Sequence, residues 1–566
     1  MGYTAHLDAF VREHLPPREQ WPEFVFERPE LRYPERLNCA AELLDRMVAG
    51  SRGIQAADRP AILAMVDGRP CTWSYRDLLI QANRIAHVLT EDLGLVPGNR
   101  VLLRAPNNPM LAACWFAVMK AGGVAVSTMQ LLRARELGQI IGKARIGLAL
   151  CDLRLVEELQ AAAAHCPDLK RIVCFNDGRT GSLEAMAATK PDTFDNVDTA
   201  AEDPALIAFT SGTTGQPKAA VHFHRDVMVM CDGFPRLVVR PDENDVFCGT
   251  PPLGFTFGLA VLLCAPLRFG AATVLTEKVT PAGLLQTIQD FRCSVVATVP
   301  TFLSQMAALA GDYDLSSLKK AISSGEALPD ATRQMFRKAT GLELIDGLGS
   351  TEMMQTFISH TPERAKQGAT GYVIPGYRAR IVDAQGMPCA PGVVGQLAVK
   401  GPSGCLYLAD DRQCEYVRDG WNITGDTFAM DQAGYFYFQG RNDDLIVSAG
   451  YNIGGLEIES TLLSHEAVAE CAVVGIPDEQ RGQIVSAFVV LKPGYAAGDG
   501  MAKALQDFVK SAIAPYKYPR RIEFVATLPR TETGKLLRSK LRESQARLRE
   551  AMPVGAHCVT DPGRMD

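Results

Sequence analysis

The chain has 566 residues, 47% hydrophobic and 22% charged, the composition of an ordinary soluble globular protein, and its length exceeds what one hydrophobic core supports, so two or more domains are expected. Lys and Arg total 58 against 64 Asp and Glu, a net charge of -6, which argues against general nucleic-acid binding through a basic surface but leaves room for a local basic pocket. The 15 cysteines are scattered without a CxxC pair, so neither a disulfide framework nor a zinc cluster fits, and reduced thiols in a cytoplasm are expected.

The amino-terminal stretch MGYTAHLDAFVREHLPPREQWPEF carries charges throughout and lacks the apolar segment of a secretion signal. Met1-Gly2 has the form of a myristoylation start, but His6 stands where Ser or Thr is required. No apolar run reaches the length of a membrane-spanning helix, about 18 residues. From Pro60, PAILAMVDG and CTWSY predict a hairpin, and Ser74 predicts the cap of a helix through YRDLLIQANRIAHVLTEDLG. NRVLLRAPN, PMLAACWFAVMKAGG and VAVSTM then predict strand, buried helix and strand. The alternation returns with AGLLQTIQDF and CSVVATV, and again over 318–345, implying a largely parallel α/β body. After about residue 375 the short strands YRARIVDAQGMP, VGQLAVKG and GYFYFQGR predict a β-rich subdomain reaching 442. Beyond GRNDDLIVSAGYN, the order helix, strand, strand, helix, strand predicts a small α/β domain over 443–545, followed by a flexible tail over 546–566.

Between the first of these regions and the second lies TSGTTGQPK, residues 210–218. It is no Walker A loop: counted from Gly212, the second glycine position holds Pro217, and Ala219 follows Lys218 where a magnesium-binding hydroxyl is needed. Its chemistry still suits phosphate. Gly212 and Gly215 permit unusual dihedrals, the hydroxyls of Thr210, Ser211, Thr213 and Thr214 can donate, and Lys218 adds charge.

In its full form, FTSGTTGQPKAAVHFH, the stretch resembles the phosphate loop of the adenylate-forming superfamily of acyl- and aryl-CoA synthetases, luciferases and peptide-synthetase adenylation domains. Further motifs follow in that superfamily's order over nearly the whole chain: SSGEALP, DGLGSTEM, TGDTFAMDQAGYFYFQGRNDDLI and PRTETGK. The resemblance implies a large N-terminal domain (1–442) and a mobile C-terminal domain, with ATP, Mg2+ and coenzyme A as cosubstrates of a monomeric or homodimeric enzyme. It implies Ser324, Gly325 and Glu326, with Asp346, Gly347 and Leu348, beside the adenine; Thr351 on the α-phosphate; and Glu352 on magnesium. It also implies Asp426 and Arg441 at the ribose, Lys535 as the adenylation lysine, Asp443 as a hinge and Gly450 beside the CoA thiol. Leu348 stands where many relatives stack an aromatic ring on the adenine.

DGLGSTEM, GPSGCLYLADDRQ, DGWNITGDTF and SAGYNIGGLEIE look most like the benzoate and 2-aminobenzoate branch of the CoA ligases. The acid pocket implied comprises Phe223, His224, Phe255, Gly325, Gly349, Met353 and Met354, small and aromatic residues that suit a flat ring, although a short or medium-chain aliphatic acid also fits. Other acceptors stay open too. Only 31 residues follow the lysine motif, too few for a carrier domain, which argues against a peptide-synthetase module. No residue pattern asks for the oxygen chemistry of a luciferase, and the presence of Glu352 and Lys535 speaks against a non-catalytic nucleotide binder.

Overall fold

The computed structural model describes residues 2–50, 53–66, 68–210, 217–354, 356–441, 446–448, 451–478, 481–513, 515–530 and 536–543. The chain forms two compact units, Met1–Thr424 with Ala429–Tyr437, and Gly425–Phe428 with Phe438–Asp566.

The first unit contains two large sheets. One runs in the order Arg171–Phe175, Leu148–Asp152, Arg100–Arg104, Val124–Thr128, Pro204–Thr210, Lys218–Phe223, parallel until its final hairpin. The other has nine strands, parallel at its centre over Leu344–Gly349, Lys320–Ser324, Val295–Thr298, Val246–Gly249 and Ala272–Leu275, with antiparallel strands at both edges. Apolar strands covered by helices produce this arrangement, because a parallel sheet must be shielded on both faces. Leu102, Val126, Ile141 and Ile207 belong to the core of the first sheet; Cys248, Leu285, Val296 and Phe336 belong to that of the second.

Local signals position the connecting helices. Ser74 Oγ accepts the Asp77 N–H at 3.1 Å while Asp77 accepts the Ser74 N–H at 2.9 Å, a reciprocal cap that starts helix Tyr75–His87. Asn108 caps Pro109–Lys120, a helix buried on every side. Its terminal Lys120 is tolerated in the interior because Asp45 receives the ammonium at 2.6 Å. Arg104, also buried, donates to the carbonyls of Met129, Gln130 and Leu132 at 2.7, 3.0 and 2.9 Å, pinning the loop after Val124–Thr128.

Arg378–Val382, Gly395–Lys400, Trp421–Met430 and Val417–Arg418 form the small sheet anticipated from the β-rich texture. The amino-terminal segment lies along this region: Val25 donates to Gly401 O, Glu23 to Gly420 O, and Ala409 to His14 O, each at 2.9 Å. In the second unit, Tyr451–Ile453, Ile446–Ser448, Gly482–Leu491 and Val468–Asp478 form a sheet joined by Arg521–Phe524. Helices Gly455–Leu463 and Asp499–Ala512 supply Ile458, Leu462, Leu505 and Val509 to its core. Among the described residues every cysteine is a free thiol, and no helix is long and apolar enough to cross a membrane.

Candidate functional site

The strands Pro204–Thr210 and Lys218–Phe223 pair antiparallel at the edge of the six-stranded sheet, with Thr210 opposite Lys218. Ser211, Gly212, Thr213, Thr214 and Gly215 lie outside the described residues; Thr210 and Lys218 mark where the loop leaves and returns. On its other edge Lys218–Phe223 is met by the segment around Tyr407: Val221 donates to Leu406 O at 2.8 Å and Leu408 to Ala219 O at 2.9 Å. The Lys218 ammonium therefore sits above the Tyr407 ring, 5.2 Å from its centroid. The Tyr407 hydroxyl donates to Glu352 Oε1 at 2.7 Å. Burial and the Glu352 charge push the Tyr407 phenol far above its ordinary range, so it stays a donor.

Glu352 and Thr351, both half-buried, belong to a turn just beyond strand Leu344–Gly349. Three hydrogen bonds shape it: Met354 N–H to Thr351 O at 3.1 Å, Met353 N–H to Ser350 Oγ at 3.2 Å, and Ser403 Oγ to Met353 O at 2.7 Å. Met354 adopts φ 59°, a left-handed conformation uncommon outside glycine. Beside the turn, Ser324 Oγ donates to Gly347 O at 2.8 Å and joins the ends of two parallel strands, while Gly325 takes φ 88° with only Val299 within contact of an added Cβ. A cationic group, a carboxylate, a threonine hydroxyl and an open glycine turn are thus gathered at strand ends, the usual location of ligand sites in α/β sheets.

The family model for the AMP-binding enzyme matches residues 54–406, and that for the AMP-binding enzyme C-terminal domain matches 457–535. The chain belongs to the AMP-binding enzyme family. It is 32% identical to the benzoate–CoA ligase of Thauera aromatica over 523 residues, 91% of this chain and 98% of that protein. It is also 33% identical to ACSM5, a mitochondrial acyl-coenzyme A synthetase of Homo sapiens, over 531 residues, 90% of this chain and 91% of that one. The solved structure of the anthranilate CoA ligase AuaEII in complex with anthranoyl-AMP superposes with a TM-score of 0.85 at 30% identity, covering 93% of this chain and all of that one. The architecture is the adenylate-forming fold, and the relatives named above are CoA ligases and an acyl-CoA synthetase.

Several expected site residues of the AMP-binding enzyme are committed elsewhere. Phe223 lies in the core of the six-stranded sheet and packs on Trp21 at 5.9 Å, because alternation along the strand turns 219, 221 and 223 to that face. His224 faces Cys39, whose N–H lies 3.2 Å from Nδ1, and burial lowers its pKa to about 3. Met353 and Met354 are buried. Glu326 accepts from Thr301 Oγ1 at 2.8 Å, at the start of helix Pro300–Leu309. Phe255, by contrast, is 36% exposed, beside Gly254, where an added Cβ would meet the Thr128 backbone carbonyl carbon at 3.0 Å. Leu348 and Gly349 are half-buried at the end of their strand. Asp426 is buried in Trp421–Met430, and Arg441 ends Phe436–Arg441. Asp443, Gly450 and Lys535 lie outside the described residues.

Alternation exposes one residue that motif reading missed. The face of Lys218 and Ala220 also carries His222, fully buried, with neither ring nitrogen in a well-formed hydrogen bond. Burial lowers its pKa to about 4, against a small opposing effect of the Thr351 backbone, so it is neutral at ordinary pH. A cleft of about 560 Å³ lies elsewhere; its lining includes Glu42, Arg46, Asp232, Arg236 and Arg268, whose acids and bases pair with one another.

Asp346 shares the face of Leu344 and is buried with Arg333 and His360 nearby, rather than at the open strand end. Burial outweighs the Arg333 charge and raises its pKa to about 7. A raised folded pKa gives stability that is complete below the unfolded value, about 3.9, and is lost as pH rises through the folded one. Thermal midpoints of wild type and Asp346→Asn should therefore diverge between pH 5 and 8, the wild type losing ground to the variant as pH rises. A gap independent of pH would contradict this account of Asp346.

Proposed function

We propose that this protein is an ATP-dependent acid–CoA ligase for an aromatic carboxylic acid of the benzoate or 2-aminobenzoate type. The observation that carries the reading is that one buried tyrosine, Tyr407, holds the Glu352 carboxylate through its hydroxyl and lies under the Lys218 ammonium at the sheet edge, in a chain alike over about nine-tenths of its length to a benzoate–CoA ligase. In the first half-reaction the acid's carboxylate oxygen attacks the α-phosphorus of ATP, forming acyl-AMP and expelling pyrophosphate. In the second, the CoA thiol loses its proton, sulfur attacks the acyl carbon, and AMP leaves with the C–O bonding pair. Carboxylates are poor acyl donors, so the protein's work is to align the reactants and offset phosphate charge.

In this reading Thr210, Lys218 and the loop between them hold the phosphates, and Thr351 donates to the α-phosphate. Ser324, Gly325, Gly347 and Leu348 border the adenine, Asp426 and Arg441 take the ribose, and Lys535 steadies the developing charge. Glu352 fits magnesium: it is a hard oxygen donor whose Oε1 is oriented by Tyr407, with no second hydrogen bond to the carboxylate among the described residues. When bound, the ion supplies charge neutralisation at the phosphates. A cytoplasmic setting agrees with the free thiols.

Phe255, Gly325 and Gly349 remain as the acid-pocket candidates, and His222, buried near the Thr351 backbone, is a further one. The second reading is a short- or medium-chain aliphatic acid, in keeping with the 33% identity to a mitochondrial acyl-coenzyme A synthetase. ATP- and CoA-dependent thioester formation should be measured with benzoate, 2-aminobenzoate and C4–C8 fatty acids. The aromatic acids should lead in kcat/KM by about 10-fold or more, the discrimination that pocket shape alone can supply. The reverse order would establish the aliphatic reading, and no thioester with any acid would overturn the ligase itself.

A further inference from the structure

We propose that Tyr407 is a positioning residue for Glu352, and that Gln413 ties Tyr407 to the amino-terminal segment, making that segment part of the proposed nucleotide site. The inference rests on the ligase reading above. Tyr407, Gln413 and Gln20 lie outside the stretch 54–406 matched by the AMP-binding model.

Tyr407 is 0% exposed and fixed at three points. Its hydroxyl donates to Glu352 Oε1 at 2.7 Å, its backbone bridges Ala220 antiparallel, and its N–H donates to Gln413 Oε1 at 2.9 Å. Gln413 is likewise 0% exposed, and its Nε2 donates to Gln20 O at 2.9 Å and Cys405 O at 3.0 Å. Both amide hydrogens and the amide oxygen are therefore used, which a buried glutamine needs and which leaves it a single orientation. The run of contacts from Gln20 through Gln413 and Tyr407 ends on the carboxylate proposed to meet magnesium. A phenol that holds one carboxylate oxygen presents the other in a fixed direction, and such outer partners typically change metal affinity by about 10–100-fold.

ATP affinity should be measured by calorimetry with magnesium and with EDTA, in wild type, Tyr407→Phe and Gln413→Met. The quantity read is the ratio of the two affinities, which a general loss of stability does not move. Tyr407→Phe removes one hydroxyl and should shrink the ratio about 10-fold. Gln413→Met should shrink it in the same direction. Should Gln413→Met fail to fold, Gln413→Glu, which keeps the acceptor for the Tyr407 N–H and loses the donor to Gln20, replaces it and is expected to shrink the ratio less. A wild-type ratio in Tyr407→Phe overturns the positioning role; a wild-type ratio in both Gln413 variants overturns the link to the amino terminus. Wild-type protein that binds ATP equally with and without magnesium overturns the metal reading as well, and so is distinguishable from failure of this inference alone.

Discussion

Glu352→Gln is expected to slow ATP–pyrophosphate exchange by about 10²–10³-fold, the scale of removing one group that stabilises transition-state charge. The amide still accepts from the Tyr407 hydroxyl, so the hydrogen bond that Glu352 makes in the structure survives while the negative charge is lost. Stability should therefore stay close to wild type. Glu352→Ala should match it in exchange rate but also strand the buried Tyr407 hydroxyl, at about 1–3 kcal/mol for an unsatisfied donor. Comparing the two in exchange assays and thermal melts separates charge from packing. Near-normal exchange by Glu352→Gln would show that the carboxylate charge takes no part in adenylation.

Lys535→Ala should cost adenylation about 10²–10³-fold as well, but leave the conversion of supplied acyl-adenylate and CoA to thioester nearly intact. The expectation comes from the resemblance of PRTETGK to a lysine motif that serves only the first half-reaction. In the same reading a rotation about Asp443 replaces the Lys535 face with the face carrying Gly450, so a bulky residue at 450 should do the reverse, blocking thioester formation while exchange continues. Single-turnover assays of each half provide the comparison. If Lys535→Ala damages both halves equally, the two halves do not use separate faces of the small domain.

Much of the fold was legible because the signals are local. Ser74 and Asp77 stand three residues apart and cap a helix, and the apolar runs at Leu102 and Val296 are strands in parallel sheets. Lys218 and Glu352 were legible as members of short motifs. Side-chain direction was less legible. Phe223, expected at the pocket, has the opposite parity to Lys218 on a six-residue strand and packs in the core, whereas His222 shares the parity of Lys218. Asp346 likewise has the parity of Leu344, which faces the core containing Phe336. Tyr407 and Gln413 were not legible at all: Gln413 meets Gln20 across 393 positions, and no local pattern announces such a contact.

The position of the amino-terminal segment bears on how a family of this kind diversifies. Residues 14–25 lie along the chain at 401–420 and precede the stretch 54–406 that the AMP-binding model matches. Substitutions there can adjust the site from behind without touching any motif that handles the nucleotide. A mutagenesis library aimed at new acid substrates would ordinarily randomise the pocket wall; one that also varies 14–25 samples backbone offsets that no pocket substitution reaches. Chimeras that exchange this segment between relatives should accordingly alter turnover even when every pocket residue is kept.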